Sequence, residues 1–274
     1  MFILFVAIFT GSTALAIHGL LPVPAAIALN TVASYLSYSV LHEAAHRLVS
    51  TNKTLNDWIG RISLLGISVT PFFQTYRFLH LAHHRFTNDP EKDADRFCGG
   101  GPAWTLPFRW MTMDTAYVTT YFRAGFYRER PAGERIEFWL AIVFGVVLVS
   151  TVCVMGWLKP FLLFYLLPTR LGLFILAFAF DFLPHYPHQV TARENAFRAT
   201  SNRVGLEWLL TPIFVGQNYH LAHHLYPTAP FYRYQRVWMA RHDFHENNDA
   251  AAVKPFGLRP FRTAESARAT RNSP

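Results

Sequence analysis

Four apolar runs, each close to the length of a membrane-spanning helix, constrain this chain more than any other feature. The first is Met1 to about Gly19, and the second, Leu21–Leu41, follows it through the turn at Pro22–Pro24. The third covers about Ile136–Trp157 and the fourth Phe161–Phe180, with only Leu158, Lys159 and Pro160 between them. A hydrocarbon core about 30 Å thick is crossed by roughly 20 helical residues, and inside it a backbone must satisfy its own hydrogen bonds. The runs therefore predict two helical hairpins. The first run lacks the basic segment and cleavage site of a secretory signal, so it reads as a spanning helix. Pro168 and Arg170 interrupt the fourth run and predict a kink, or a lining by other parts of the protein. Ile59–Phe78, broken by Arg61, Pro71 and Gln74, reads as a membrane-surface or re-entrant segment.

Charge places the hairpins. Residues 47–135 hold twelve Lys and Arg and residues 181–274 hold eleven, of 25 in all. Positive charge marks the cytoplasmic face, so both termini, the middle loop and the C-terminal region are expected there. Composition agrees: 51% of residues are hydrophobic and 15% charged, against about a quarter charged in soluble domains. The net charge of +8 comes without a basic stripe interleaved with base-stacking aromatics, so nucleic acid is not an expected partner. Cys98 and Cys153 form no CxxC, and Cys153 reads as a small buried hydrophobe. The expected fold is all-α: a multi-pass membrane protein of four transmembrane helices with a cytoplasmic helical cap. Residues 1–248 form its domain, followed by a polar, loosely ordered tail, 249–274.

Histidine supplies the chemistry. His42 and His46 stand in HEAAH, His80, His83 and His84 in HLAHH, and His220, His223 and His224 in a second HLAHH. Spacings of three and four put side chains on one face of a helix, one turn apart. Imidazole ligates iron, copper, zinc and nickel, and eight clustered histidines on one face of a membrane imply a metal centre. His185, after the fourth run, is a ninth candidate and His188 an alternative or addition. Nine imidazoles over two metals leave each with four or five nitrogens. Glu43, Asp89, Asp93, Asp95, Asp181 and Asn218 are placed to orient the ligands by accepting their other N–H. For the aspartates of TNDPEKDAD a solvated turn is an equal reading. His18 reads as interfacial, and His242 and His245 as solvated. Phe72, Phe73, Tyr76, Phe78, Trp104, Phe108 and Trp110 suggest a route for an apolar substrate, although ordinary packing explains most of them.

HEAAH also fits the zinc-protease pattern, with Glu43 as base. That reading leaves two HxxHH triplets without a role, since zinc takes about four ligands. A haem or metal carrier needs only paired axial histidines and also leaves most unused.

HEAAH, HLAHHRFTNDPEKDAD and QNYHLAHHLYP together resemble the membrane fatty acid desaturase and hydroxylase superfamily, over about residues 35–240. FDFLPHYPHQ, GQNYHLAHHLYPTAPFYRYQ and NDPEKDADRF resemble, more narrowly, the cyanobacterial type of beta-carotene hydroxylase. That group usually has Arg at the position of Tyr186. The resemblance implies two irons bound by His42, His46, His80, His83, His84, His185, His220, His223 and His224. It also implies O2 as co-substrate and oxidation of an unactivated C–H bond in a lipid-soluble substrate from the bilayer. Many desaturases carry Asn at the position of Asp181, bound to iron through water. Carotenoid-ring hydroxylation is the leading expectation and acyl-lipid desaturation the alternative. No flavin or dinucleotide fingerprint occurs, so the expected electron donor is a separate protein, ferredoxin with its reductase.

Overall fold

The computed structural model describes residues 1–262. The chain is mostly helical and divides into two compact units, residues 1–80 with 107–176, and residues 81–106 with 177 onward.

In the first unit, α1 (Phe2–Ile17) and α2 (Val23–Ala45) form the first hairpin, followed by α3 (Lys53–Leu64) and the N-terminal part of α4 (Phe73–Phe86). Asn52 caps α3 by accepting the Leu55 N–H at 3.1 Å. The segment expected to be re-entrant is two helices separated at 65–72, where Pro71 prevents continuation. Its polar residues are used inside the unit. Arg61 pairs with Glu137 at 2.6 Å and the Gln74 amide donates to Asp57 at 2.7 Å. Phe72, Phe73 and Tyr76 are buried core, whereas Phe108 is 66% exposed.

Among the described residues two helices are long and apolar enough to cross a membrane: α5 (Ala132–Val154) and α6 (Leu158–His185). They match the third and fourth apolar runs. α1 is apolar but only 16 residues long. Cys153 is exposed on α5 rather than buried, because a helix whose surroundings are apolar has no reason to turn its apolar side chains inward. α6 carries two π-helical segments, Leu162–Leu166 and Ala177–Phe182. Pro168 has no N–H for the Phe164 carbonyl four residues back. Fully buried Asn30 of α2 donates to that carbonyl instead, at 2.7 Å, and to Thr13 at 2.9 Å, while Ser12 donates to the Asn30 oxygen. Arg170 is neutralised by Asp114 at 2.8 Å and donates to the carbonyls of Met111 and Ile67, which makes a charge tolerable inside an apolar helix.

In the second unit, α7 (His220–Leu225) packs on the first strand of a three-stranded sheet, and α8 (Tyr234–Ala240) packs on α7. β1 (Asn202–Arg203) runs parallel to β2 (Ala251–Val253), with Asn202 opposite Ala252, and β3 (Phe261–Arg262) runs antiparallel to β2. Within the tail drawn from Asp249, only Ala251–Val253 and Phe261–Arg262 are strands, and residues 263–274 lie outside the described residues. The Ala-Ala-Val of β2 is short but fully buried. Composition alone, rich in Ala and Arg, hid it. β1 fixes α7 through Asn202, whose side-chain oxygen accepts the Ala222 N–H at 3.1 Å. Arg203 locks the following turn by donating to the carbonyls of Lys254, Pro255 and Gly257.

Candidate metal centre

Each unit gathers its own histidines. In the first, α2 brings His42 and His46 to its last turn and α4 brings His80. The His42 ring lies 4.9 Å from His46 and 4.7 Å from His80, centroid to centroid. His46 Nε2 and His80 Nε2 are 2.8 Å apart. Glu43 is buried, with Oε1 3.4 Å from His42 Nδ1.

In the second unit, His83, His185, His220 and His224 form a four-imidazole group. His83 comes from the end of α4, His185 from the end of α6 beyond Pro184, and the other two from one face of α7. Nε2 of His224 lies 3.2 Å from Nε2 of His83 and 3.1 Å from Nε2 of His220, which is 3.0 Å from Nε2 of His185. Hydrogen bonding does not account for this. The Nδ1–H of His83 donates to Asp93 Oδ1 at 2.8 Å, and that of His220 to Gln217 Oε1 at 3.0 Å. A neutral imidazole has one N–H, so with His83 and His220 both neutral their Nε2 lone pairs point at His224, an arrangement suited to holding a cation. A cation at the centre satisfies all four. Metal–imidazole bonds of roughly 2.0–2.1 Å set adjacent nitrogens about 2.9 Å apart at 90° and about 3.3 Å apart at the tetrahedral angle. The observed separations fall in that range.

Electrostatics favour the same occupant. Burial opposes a charge on His83, yet the Asp95 and Asp93 carboxylates outweigh it and raise its pKa to about 9, so this position favours positive charge, a proton on His83 or a metal cation bound to the neutral ring. His224 is pushed well below its ordinary value by burial and by neighbouring His84 and His220, which keeps it a neutral donor. His84 lies edge-on to His223 and tilted against His224, at 4.5 and 4.3 Å between centroids. His223 is fully buried, and its Nδ1 meets the Tyr234 hydroxyl at 2.8 Å.

The acidic residues divide. Asp93 is a built support: besides His83 it accepts the N–H of Asn88 at 2.7 Å and of Asp95 at 3.0 Å. Asn88 holds a left-handed backbone, φ 66°, and its amide donates to the carbonyls of Val190 and Ala199. Asp95 lies 3.5 Å from His83 Nδ1. Asp181 faces the Cys98 thiol at 3.7 Å, within electrostatic reach of His83. Asp89 instead caps a turn, accepting from the N–H groups of Glu91 and Lys92, as in the solvated reading. Asn218 donates toward Arg203 and Thr211 and not to a histidine. His188 stands outside the four-imidazole group, its pKa lowered to about 4 by burial and by Arg198. His245 is fully buried rather than solvated. It stacks on Trp238 at 3.9 Å and meets the Tyr226 hydroxyl at 2.9 Å.

Sequence reading missed Gln217 and Tyr234. Gln217 lies three residues before His220, a spacing that could have flagged it. Tyr234, eleven residues beyond His223, carries no such signal.

Asp93→Ala should lower metal affinity about 10–100-fold, because a ligating histidine loses the group that fixes its tautomer. Asp89→Ala should leave affinity unchanged. Chelator competition on purified protein checks both, and equal losses would remove the distinction drawn between them.

A family model described as fatty acid desaturase matches residues 18–252. Dihydrorhizobitoxine desaturase of Bradyrhizobium elkanii is 27% identical over 237 residues, covering 71% of this chain and 60% of the relative. The chloroplastic omega-6 fatty acid desaturase of Glycine max is 25% identical over 226 residues, covering 70% of this chain and 49% of the relative. The sn-1 oleoyl-lipid 12-desaturase of Arthrospira platensis is 42% identical over 52 residues, 19% of this chain and 14% of the relative. The chain thus spans at most 60% of the length of these curated relatives.

Proposed function

Because the chain belongs to the fatty acid desaturase family, we propose that it is a membrane-embedded non-haem di-iron enzyme. Its reaction is the O2-dependent oxidation of an unactivated C–H bond in a lipid-soluble substrate. The observation that carries this reading is the convergence of four Nε2 atoms in the second unit. His83, His185, His220 and His224 would hold one iron. His42, His46 and His80 belong to the other, and His84 and His223 bring the ligands to nine. When bound, the irons supply O2 activation and hydrogen removal. The protein orients the ligands and keeps water out. Asp93 fixes the His83 tautomer, Gln217 that of His220, and Tyr234 orients His223.

The reported relatives are all named desaturases, and this brings acyl-lipid desaturation level with carotenoid-ring hydroxylation as the outcome. Both begin with removal of one hydrogen. Transfer of an oxygen atom to that carbon would give an alcohol, and removal of a second hydrogen would give an alkene. Expression in a beta-carotene-producing host, followed by pigment and fatty-acid analysis, decides between them. Hydroxylated pigment or a new double bond supports the oxidase reading, and neither product in iron-replete cells opposes it. Each turnover takes two outside electrons, and a basic cytoplasmic face suits an acidic ferredoxin fed by its reductase.

Purified protein is expected to carry about two iron per chain, from the number of imidazoles. One tightly bound zinc without oxygen-dependent activity would return HEAAH to the protease reading. The proposed topology is four spanning helices with both termini and the metal centre cytoplasmic. Reporter fusions after residues 20 and 159 should then lie outside, and fusions near residues 100 and 250 inside.

A further inference from the structure

One end of the first unit holds a groove that the metal chemistry does not use. Its volume is about 970 Å³, at the top of the roughly 300–1,000 Å³ of ligand pockets. The sequence creates it: from Thr10 to Ala16 every residue of α1 but Leu15 is small. α1 therefore leaves space beside α5 and the start of α6, where Val152, Phe161 and Phe164 form an apolar wall. Val23, at the start of α2, lines the groove too. His42 lies nineteen residues further along the same helix, roughly 28 Å at 1.5 Å per residue. The groove is therefore separate from the histidines.

Thr10, Thr13, Trp157, Lys159 and Tyr165 interrupt the apolar lining, and the Tyr165 hydroxyl is taken by the carbonyls of Leu65 and Ser68. The hydroxyls of Thr10, Thr31 and Thr112 donate to the carbonyl four residues back, the usual arrangement in a helix. Thr13 is different: its oxygen accepts from the Asn30 amide at 2.9 Å. Among the described residues no protein acceptor takes the Thr13 hydroxyl hydrogen, and Thr13 lines the groove. Lys159 lines it as well, exposed in the first turn of α6 next to Trp157, which is 59% exposed. Trp and Lys at a helix end mark the level of lipid headgroups.

We propose that this groove binds one glycerophospholipid with an acidic headgroup. This rests on the membrane placement in the proposed function but not on the metal chemistry. The acyl chains lie on the apolar wall, an ester carbonyl accepts the Thr13 hydroxyl, and the phosphate pairs with the Lys159 ammonium.

The test is native mass spectrometry of the full chain released from nanodiscs of equal phosphatidylglycerol and phosphatidylcholine. The wild type should retain one phosphatidylglycerol. Lys159→Gln should lower the preference for phosphatidylglycerol about fivefold, the worth of one cation near a lipid surface. Thr13→Val should weaken retention of both lipids, and Ala14→Phe, which fills the groove, should abolish it. Retention unchanged in Ala14→Phe, no headgroup preference in the wild type, or a second copy of the chain in place of lipid would each overturn the proposal. Should Ala14→Phe fail to fold, Lys159→Gln and Thr13→Val carry the test, since both side chains reach the surface of the groove. His224→Ala should keep the lipid, so failure of the metal reading is separable from failure of this one.

Discussion

His224→Ala should remove iron from the second unit and abolish activity, with a loss beyond the 10–100-fold that an outer partner of a ligand costs. His224 is the residue to choose because its Nε2 bridges two others, His83 and His220, at 3.2 and 3.1 Å. Without it the two imidazoles that His224 links, His83 and His220, lose their shared partner. His83→Ala should behave alike. Glu43→Gln should cost only about 10–100-fold, because Glu43 touches His42 at 3.4 Å and acts through it. A zinc protease built on HEAAH would show the reverse ranking, since Glu43 would be its base and neither His83 nor His224 would be a ligand. Metal analysis and product formation on the three variants, measured together, separate the two chemistries. Full activity in His224→Ala would end the case for the four-imidazole group.

Asn30→Leu should destabilise the first unit by about 1–3 kcal/mol, the cost of leaving buried polar groups without their partner. Asn30 is fully buried and supplies the donor that Pro168 denies to the Phe164 carbonyl. It also holds Thr13 and receives Ser12. Leucine of nearly the same size removes these bonds without opening a large cavity. The mechanism makes a second, sharper demand. Pro168→Ala restores a backbone N–H, so it should recover part of the loss in the Asn30→Leu background and give less in the wild type. Thermal unfolding in detergent of the two single variants and the double variant measures that coupling. Additive effects would show that Asn30 and Pro168 are not linked through the Phe164 carbonyl.

The sequence by itself determined the features that depend on local spacing. Apolar runs of near-spanning length became α5 and α6, because an unbroken apolar stretch has helix as its backbone solution in any apolar surrounding. HxxHH fixed neighbouring imidazoles on one helical face, because 3.6 residues per turn leave no other arrangement. The aspartates of TNDPEKDAD were legible as ligand supports or turn residues, but not which was which. Asp93 reaches His83 only because Asn88 is anchored to Val190 and Ala199, more than a hundred residues away.

Tertiary structure decided which imidazoles share a centre. His80 and His83 are three residues apart on α4, yet His80 meets His46 and His83 meets His224. The helix supplies adjacency, while the partner of each side chain comes from whatever packs against that turn. The same holds for Tyr234 on His223, for His245 sealed under Trp238, and for the Ala-Ala-Val strand that a polar tail concealed. None of these pairings has a period in the sequence. Each exists because burial forces a polar atom or a strand edge to find its partner across the fold.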